Sequence, residues 1–120
     1  MGIALGLANP NAIPCMSQDV CGAHGCTLAL DAVAGAQSGA ILNAMAPGGK
    51  LVIYGGLSGR PVDGVAWSQL IFQHKSMEGF WMTHRVQTQL ATAEGAAQLR
   101  RDLTAVGGLL STHLRTNVSR

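Results

Sequence analysis

Apolar residues in this chain gather into short continuous runs separated by glycines, with helix-spaced segments between them. The clearest run is Leu51-Val52-Ile53-Tyr54, set between Gly48-Gly49 and Gly55-Gly56. A half-solvated strand would alternate apolar and polar positions. A continuous run predicts a strand covered on both faces, as in a parallel sheet. Residues 26–33 predict a second such strand, ending near Gly35. Residues 76–82 predict a third, and Gly79 inside it points to a bulge or a close backbone approach. Residues 37–46 predict a helix with Ala40, Ile41, Ala44 and Met45 along one buried stripe, stopped by Pro47. Residues 67–74 read as a short helix with Trp67, Leu70 and Ile71 on one side. A long helix is expected from Thr83 to about Val106, where Leu99, Leu103, Val106 and Leu110 keep helical spacing. Gly95 weakens its middle by roughly 1 kcal/mol relative to alanine. Gly107-Gly108 are expected to end it, leaving 109–118 as an extended exit segment.

The order β-α-β-α-β-α predicts an α/β fold, a partial Rossmann-like doubly wound parallel sheet of about three strands. Residues 1–25 are punctuated by Pro10 and Pro14, show no period and read as an irregular head. Residues 26–115 form the α/β part and 116–120 a tail. In open α/β sheets ligands bind outside the carboxyl ends of the strands. Asp31 and Gly55-Gly56 emerge at the same such end if their strands are parallel, so a site is expected there. Asp31 either contacts a ligand or caps the helix that follows it, and the structural role is the expected one.

Composition narrows the function classes. The 120 residues are 48% hydrophobic and 12% charged, with a formal net charge of +2. That charge is too small for a nucleic-acid footprint, and Arg100-Arg101 beside Asp102 fit a solvated helix face. No apolar run approaches the roughly 18 residues of a membrane span. The apolar start lacks a basic leader, which leads to the expectation of a soluble cytoplasmic protein. Cys15, Cys21 and Cys26 form no disulfide framework by count. With His24 they space as Cys-x5-Cys-x2-His-x-Cys, which matches no common zinc pattern, so reduced thiols and no metal are expected. His74, His84 and His113 have no companion nucleophile at a readable spacing. Of these, His84 stands where it could reach a ligand. Leu70-Ile71-Phe72 are expected in the core or in a dimer contact.

Three motifs carry a family resemblance. They are the segments Leu30-Asp31-Ala32-Val33-Ala34-Gly35, Ala46-Pro47-Gly48-Gly49-Lys50-Leu51-Val52-Ile53-Tyr54-Gly55-Gly56-Leu57, and Leu70-Ile71-Phe72-Gln73-His74-Lys75-Ser76-Met77-Glu78-Gly79-Phe80-Trp81-Met82. Together they resemble the C-terminal half of the cofactor domain of the medium-chain dehydrogenase/reductase superfamily. Within it they are most similar to the zinc-independent 2-enoyl thioester reductases and their quinone-oxidoreductase-like relatives. The resemblance implies NADPH as cofactor. It implies that Tyr54, Gly55, Gly56 and Leu57, with Phe80, Trp81 and Met82, border the nicotinamide. It also implies a small enoyl thioester or quinone-like substrate and allows a homodimer formed through the sheet edge.

The family's glycine-rich pyrophosphate turn and its catalytic tyrosine have no counterpart in this sequence. Tyr54, its one tyrosine, matches the cofactor turn instead. The expectation is a fragment of an NADPH-dependent reductase with no catalytic residue of its own and little or no activity alone. Two alternatives stand beside it. One is half of a class I S-adenosylmethionine-dependent methyltransferase, suggested by Pro47-Gly48-Gly49-Lys50-Leu51-Val52-Ile53. The other is a non-catalytic remnant acting only through dimerisation.

Overall fold

The computed structural model describes residues 3–5 and 22–112. These divide into two compact units, Met1–Phe80 and Trp81–Arg120.

The first unit is built on a four-stranded parallel sheet. Its strands are β1 (Ile3–Leu5), β2 (Leu28–Asp31), β3 (Lys50–Ile53) and β4 (Ser76–Gly79), in the spatial order β1-β2-β3-β4. Leu28 pairs with Lys50 and Lys50 with Ser76, and the register runs without slippage to Asp31, Ile53 and Gly79. Helix α1 (Ala36–Ala44) connects β2 to β3, and helix α2 (Trp67–Ile71) connects β3 to β4. The expected α/β class and parallel sheet are therefore present. β1 is a strand beyond the three expected; its outer neighbours in the head, like the tail at 116–120, lie outside the described residues. Gly79 produces no bulge, since it closes β4 in register with Ile53.

The core of this unit lies where α1 meets one face of the sheet. Cys26, Ala29, Ile41, Leu42, Met45 and Leu51 are buried together, with Ala40, Ala44, Ile53 and Val65 packed against them. Leu42 and Leu51 are fully enclosed, and each such leucine stabilises the fold by about 1.5–3 kcal/mol. Ile41 and Met45 lie on the expected stripe, but Leu42 widens it, so the apolar face of α1 is broader than a single row. On the other sheet face Leu28, Leu30 and Val52 are half-buried. Lys50 Nζ meets Glu78 Oε2 at 3.0 Å across β3 and β4, with both side chains about half exposed, a pairing worth at most about 1 kcal/mol.

Trp67, Leu70, Ile71 and Phe72 are exposed, so α2 does not contribute the expected core face. His74 ends that helix in a left-handed conformation, φ 51°. This turn lets Lys75 N donate to the Gln69 carbonyl at 3.1 Å and sends the Lys75 side chain inward. Lys75 Nζ then donates to the Leu42 and Asn43 carbonyls at the end of α1, at 2.8 and 3.2 Å. A cation is favourable at a helix C-terminus.

The second unit is a pair of helices, α3 (Met82–Leu90) and α4 (Ala93–Thr112). Two expectations are corrected here. The third strand stops at Gly79, so Met82 opens a helix instead of closing a strand. The long helix is also broken at Ala91-Thr92 and then runs through Gly107-Gly108 to Thr112. The Thr92 hydroxyl accepts from Gly95 N at 3.0 Å, the arrangement that starts a new helix.

Candidate nicotinamide-side site

Three chain segments leave the carboxyl ends of β2, β3 and β4 side by side. After β2 the chain enters the loop at residues 31–35, after β3 the turn at 54–58, and after β4 it reaches Phe80. The first two are joined by main-chain hydrogen bonds. Tyr54 N donates to the Asp31 carbonyl at 2.9 Å, Leu57 N to Ala32 at 3.2 Å and Ser58 N to Val33 at 2.9 Å. Phe80 N donates to the Ile53 carbonyl at 2.8 Å, which carries the β3–β4 ladder one step past the strand ends.

Glycine is required at one point of this junction. A Cβ on Gly55 would lie 2.6 Å from the Ala32 carbonyl oxygen, whereas one on Gly56 would meet nothing within 4 Å. The two glycines of the pair therefore serve different ends. Gly55 allows the turn to touch the neighbouring loop, and Gly56 leaves the outer surface of the turn bare. Tyr54 is half exposed and Leu57 is 83% exposed.

The neighbouring loop is shaped by Asp31, which is fully buried. Asp31 Oδ1 accepts from Val33 N at 2.8 Å, Ala34 N at 3.3 Å and Gln37 Nε2 at 3.5 Å. Its Oδ2 accepts from the Ser38 hydroxyl at 2.6 Å. Ala34 and Gly35 both have positive φ, 62° and 70°, which a non-glycine residue adopts only when its surroundings hold it there. Of the two sequence readings of Asp31, the geometry supports the structural one, since both carboxylate oxygens are occupied by the protein. That Gln37 and Ser38 would be buried against it was not legible, because two polar residues at the start of a helix ordinarily face water.

Phe80 is half-buried in the first unit. Trp81 and Met82 belong to the second and are exposed there. Trp81 precedes α3, and its ring stacks on His84 with centroids 5.9 Å apart and planes 18° apart. His84 follows Trp81 by one helical turn, which is the signal that could have found the pair.

A cavity of about 410 Å³ lies beside α1, lined by Ala36, Arg60, Pro61, Val62 and Asp63. None of the expected site residues lines it. Among the described residues no cluster of three or more His, Cys, Asp or Glu side chains is placed to hold a metal. Cys26 is buried and disulfide-bonded, which departs from the expected reduced thiol. Cys15, Cys21 and His113 lie outside the described residues. No helix among the described residues is long and apolar enough to cross a membrane.

No family model matches the chain. The bovine mitochondrial enoyl-[acyl-carrier-protein] reductase is 45% identical over 56 residues, 47% of this chain and 15% of that protein. The rat protein of the same name is 43% identical over the same length. The chain thus spans a small part of the curated relatives it matches. Among solved structures, the mitochondrial 2-enoyl thioester reductase heterodimer from Candida tropicalis is 29% identical. It superposes with a TM-score of 0.52 over 62% of this chain and 20% of that one. A complex of Etr1p with NADP and crotonyl-CoA gives the same identity and TM-score. The expectation of a cytoplasmic protein is contradicted by the bovine, rat and mouse relatives, all of which are named as mitochondrial enzymes.

Proposed function

We propose that this chain is a piece of the medium-chain dehydrogenase/reductase superfamily, in the branch of 2-enoyl thioester and quinone reductases, and that it supplies one wall of the nicotinamide site of an NADPH-dependent enoyl reductase. The observation that carries the reading is the junction at the carboxyl ends of β2, β3 and β4. There Gly55 brings the 54–58 turn against the 31–35 loop, and Phe80 emerges one strand further along. Open α/β sheets bind ligands at that edge. A turn free of side chains at Gly55 and Gly56 lets main-chain N–H and C=O groups approach a carboxamide.

In this reading Tyr54, Gly55, Gly56 and Leu57 meet the cofactor, with Phe80 and the Trp81 and Met82 that follow it in the motif. The bound cofactor supplies a hydride, which the parent enzyme delivers to the β-carbon of an α,β-unsaturated thioester or carbonyl. Apolar Leu57 and Phe80 keep water from the reacting face. The NADP and crotonyl-CoA complex of Etr1p supports both the cofactor and the substrate class.

Thermal melting of the purified chain with NADPH or S-adenosylmethionine tests the proposal. A ligand that binds only the folded state stabilises it by about 2.7 kcal/mol at one hundred times its Kd. NADPH is expected to raise the Tm and S-adenosylmethionine to leave it unchanged. No shift with millimolar NADPH, or a shift with S-adenosylmethionine alone, rejects the reading.

A second reading concerns assembly and rests on β4. Among the described residues this strand pairs on one edge only, and its four residues are exposed. An open, exposed edge is a template for another strand, so a homodimer formed by β4 pairing with β4 of a second copy is proposed.

A further inference from the structure

We infer that Asp31 is a positioning residue for the 54–58 turn, holding it in shape through the 31–35 loop; the inference rests on the reading of that turn as a cofactor wall. Three observations lead from the carboxylate to the turn. First, the buried Asp31 side chain takes four donors drawn from both sides of the loop: Val33 N and Ala34 N within it, and Gln37 Nε2 and Ser38 Oγ from the first turn of α1. No cation pairs with it among the described residues, so these donors are what offset its loss of water, a loss costly to any buried charge. Second, the loop they enclose holds Ala34, a non-glycine residue, at an unfavourable positive φ of 62°. Third, that shape aims the Ala32 and Val33 carbonyls at the turn, where they accept from Leu57 N and Ser58 N. The Ala32 carbonyl is also the atom against which Gly55 packs. Loss of the carboxylate frees the loop to relax, and the turn loses its backing although the bond from the Tyr54 N–H to the Asp31 carbonyl is main chain and is not itself removed.

Asp31→Asn keeps the size of the side chain but replaces one acceptor with a donor facing donors. Amide hydrogen exchange on the full chain separates a local role from a general one. The expected result is at least a tenfold loss of protection at Leu57 and Ser58. Ser76 and Phe80, whose amides donate to the Gly49 and Ile53 carbonyls instead, keep theirs. Equal loss at all four amides would make Asp31 a general fold residue, and no loss at any of them would leave the turn independent of it; either outcome overturns the inference.

Ser38→Ala removes only the 2.6 Å bond to Oδ2 and serves where the Asn variant does not fold. It is expected to loosen Leu57 and Ser58 in the same selective way, to a smaller degree. In a parallel titration, NADPH affinity is expected to fall about tenfold in Asp31→Asn. Unchanged affinity with a loosened turn also overturns the inference. A wild-type chain that does not bind NADPH rejects the cofactor reading, while the exchange result still decides whether Asp31 holds the turn.

Discussion

Gly55 and Gly56 are neighbours with opposite tolerance to a side chain. Alanine at Gly55 must displace either the turn or the Ala32 carbonyl, because 2.6 Å is far inside contact distance and the Ala32 oxygen belongs to the backbone. Gly55→Ala is expected to destabilise the first unit by about 1–3 kcal/mol, and Gly56→Ala by less than about 0.5 kcal/mol; denaturant melts of the two variants measure the difference. The sequence singles out the pair but cannot tell its members apart, since the distinction lies in a loop more than twenty residues upstream. Lys75 is the other single residue with a testable consequence. Burial lowers its pKa from the usual 10.5. The unfolded chain therefore holds the proton to higher pH than the folded one. Stability is expected to rise as pH climbs through the folded pKa, to be complete above about 10.5, and to be lost on the way down. Lys75→Met is expected to abolish that rise, as followed by urea midpoints at successive pH values. An exposed lysine would show no such difference. Nothing in the run Gln73-His74-Lys75-Ser76 marks this lysine as buried, because the cause is the left-handed turn at His74.

Helix boundaries show where periodicity was sufficient and where it was not. The stripe on α1 was legible because Ile41 and Met45 repeat at helical spacing. The continuation of α4 past Gly107-Gly108 was legible too, in Leu103, Val106 and Leu110. Glycine ends a helix where it takes a positive φ, and neither Gly107 nor Gly108 does. The break at Ala91-Thr92 was not legible, because a threonine inside an apolar-periodic segment looks like any solvent-facing position. The break reverses the meaning of Gly95. Helix propensity alone makes Gly95→Ala stabilising by about 1 kcal/mol. In the structure a Cβ there falls 2.2 Å from the Gln89 carbonyl oxygen at the end of α3. Gly95→Ala is therefore expected to lower the helicity of a 120-residue sample and to melt the second unit earlier, as seen by circular dichroism. A rise in stability would show that the two helices part easily.

At the scale of the molecule, the parallel sheet could be read from the continuous run at 51–54 and the largely apolar segments at 26–33 and 76–82, whereas β1 could not. Three residues, Ile3-Ala4-Leu5, are too few to carry a period. The end of β4 and the start of α3 also escaped the sequence, since apolar Phe80-Trp81-Met82 reads as a continuation of the strand beyond Gly79. The open β4 edge yields a prediction at this scale. Ser76 N and Phe80 N point to β3, so alternation aims the Met77 and Gly79 N–H groups at the free side. Met77→Pro removes an edge donor while sparing the bonds to β3. It is expected to shift sedimentation from dimer to monomer; a wild-type chain that is monomeric at high concentration contradicts the proposed assembly.

Among the described residues, the strand order β1-β2-β3-β4 follows the order of the sequence, with no strand inserted between two earlier ones. During synthesis, each described strand after the first thus emerges from the ribosome to find its partner already made. Each pairing closes a connection of similar length, and the entropy of closure grows only slowly with that length. Such a sheet can be laid down in the direction of translation, strand on strand, without earlier strands waiting for a neighbour that is made last.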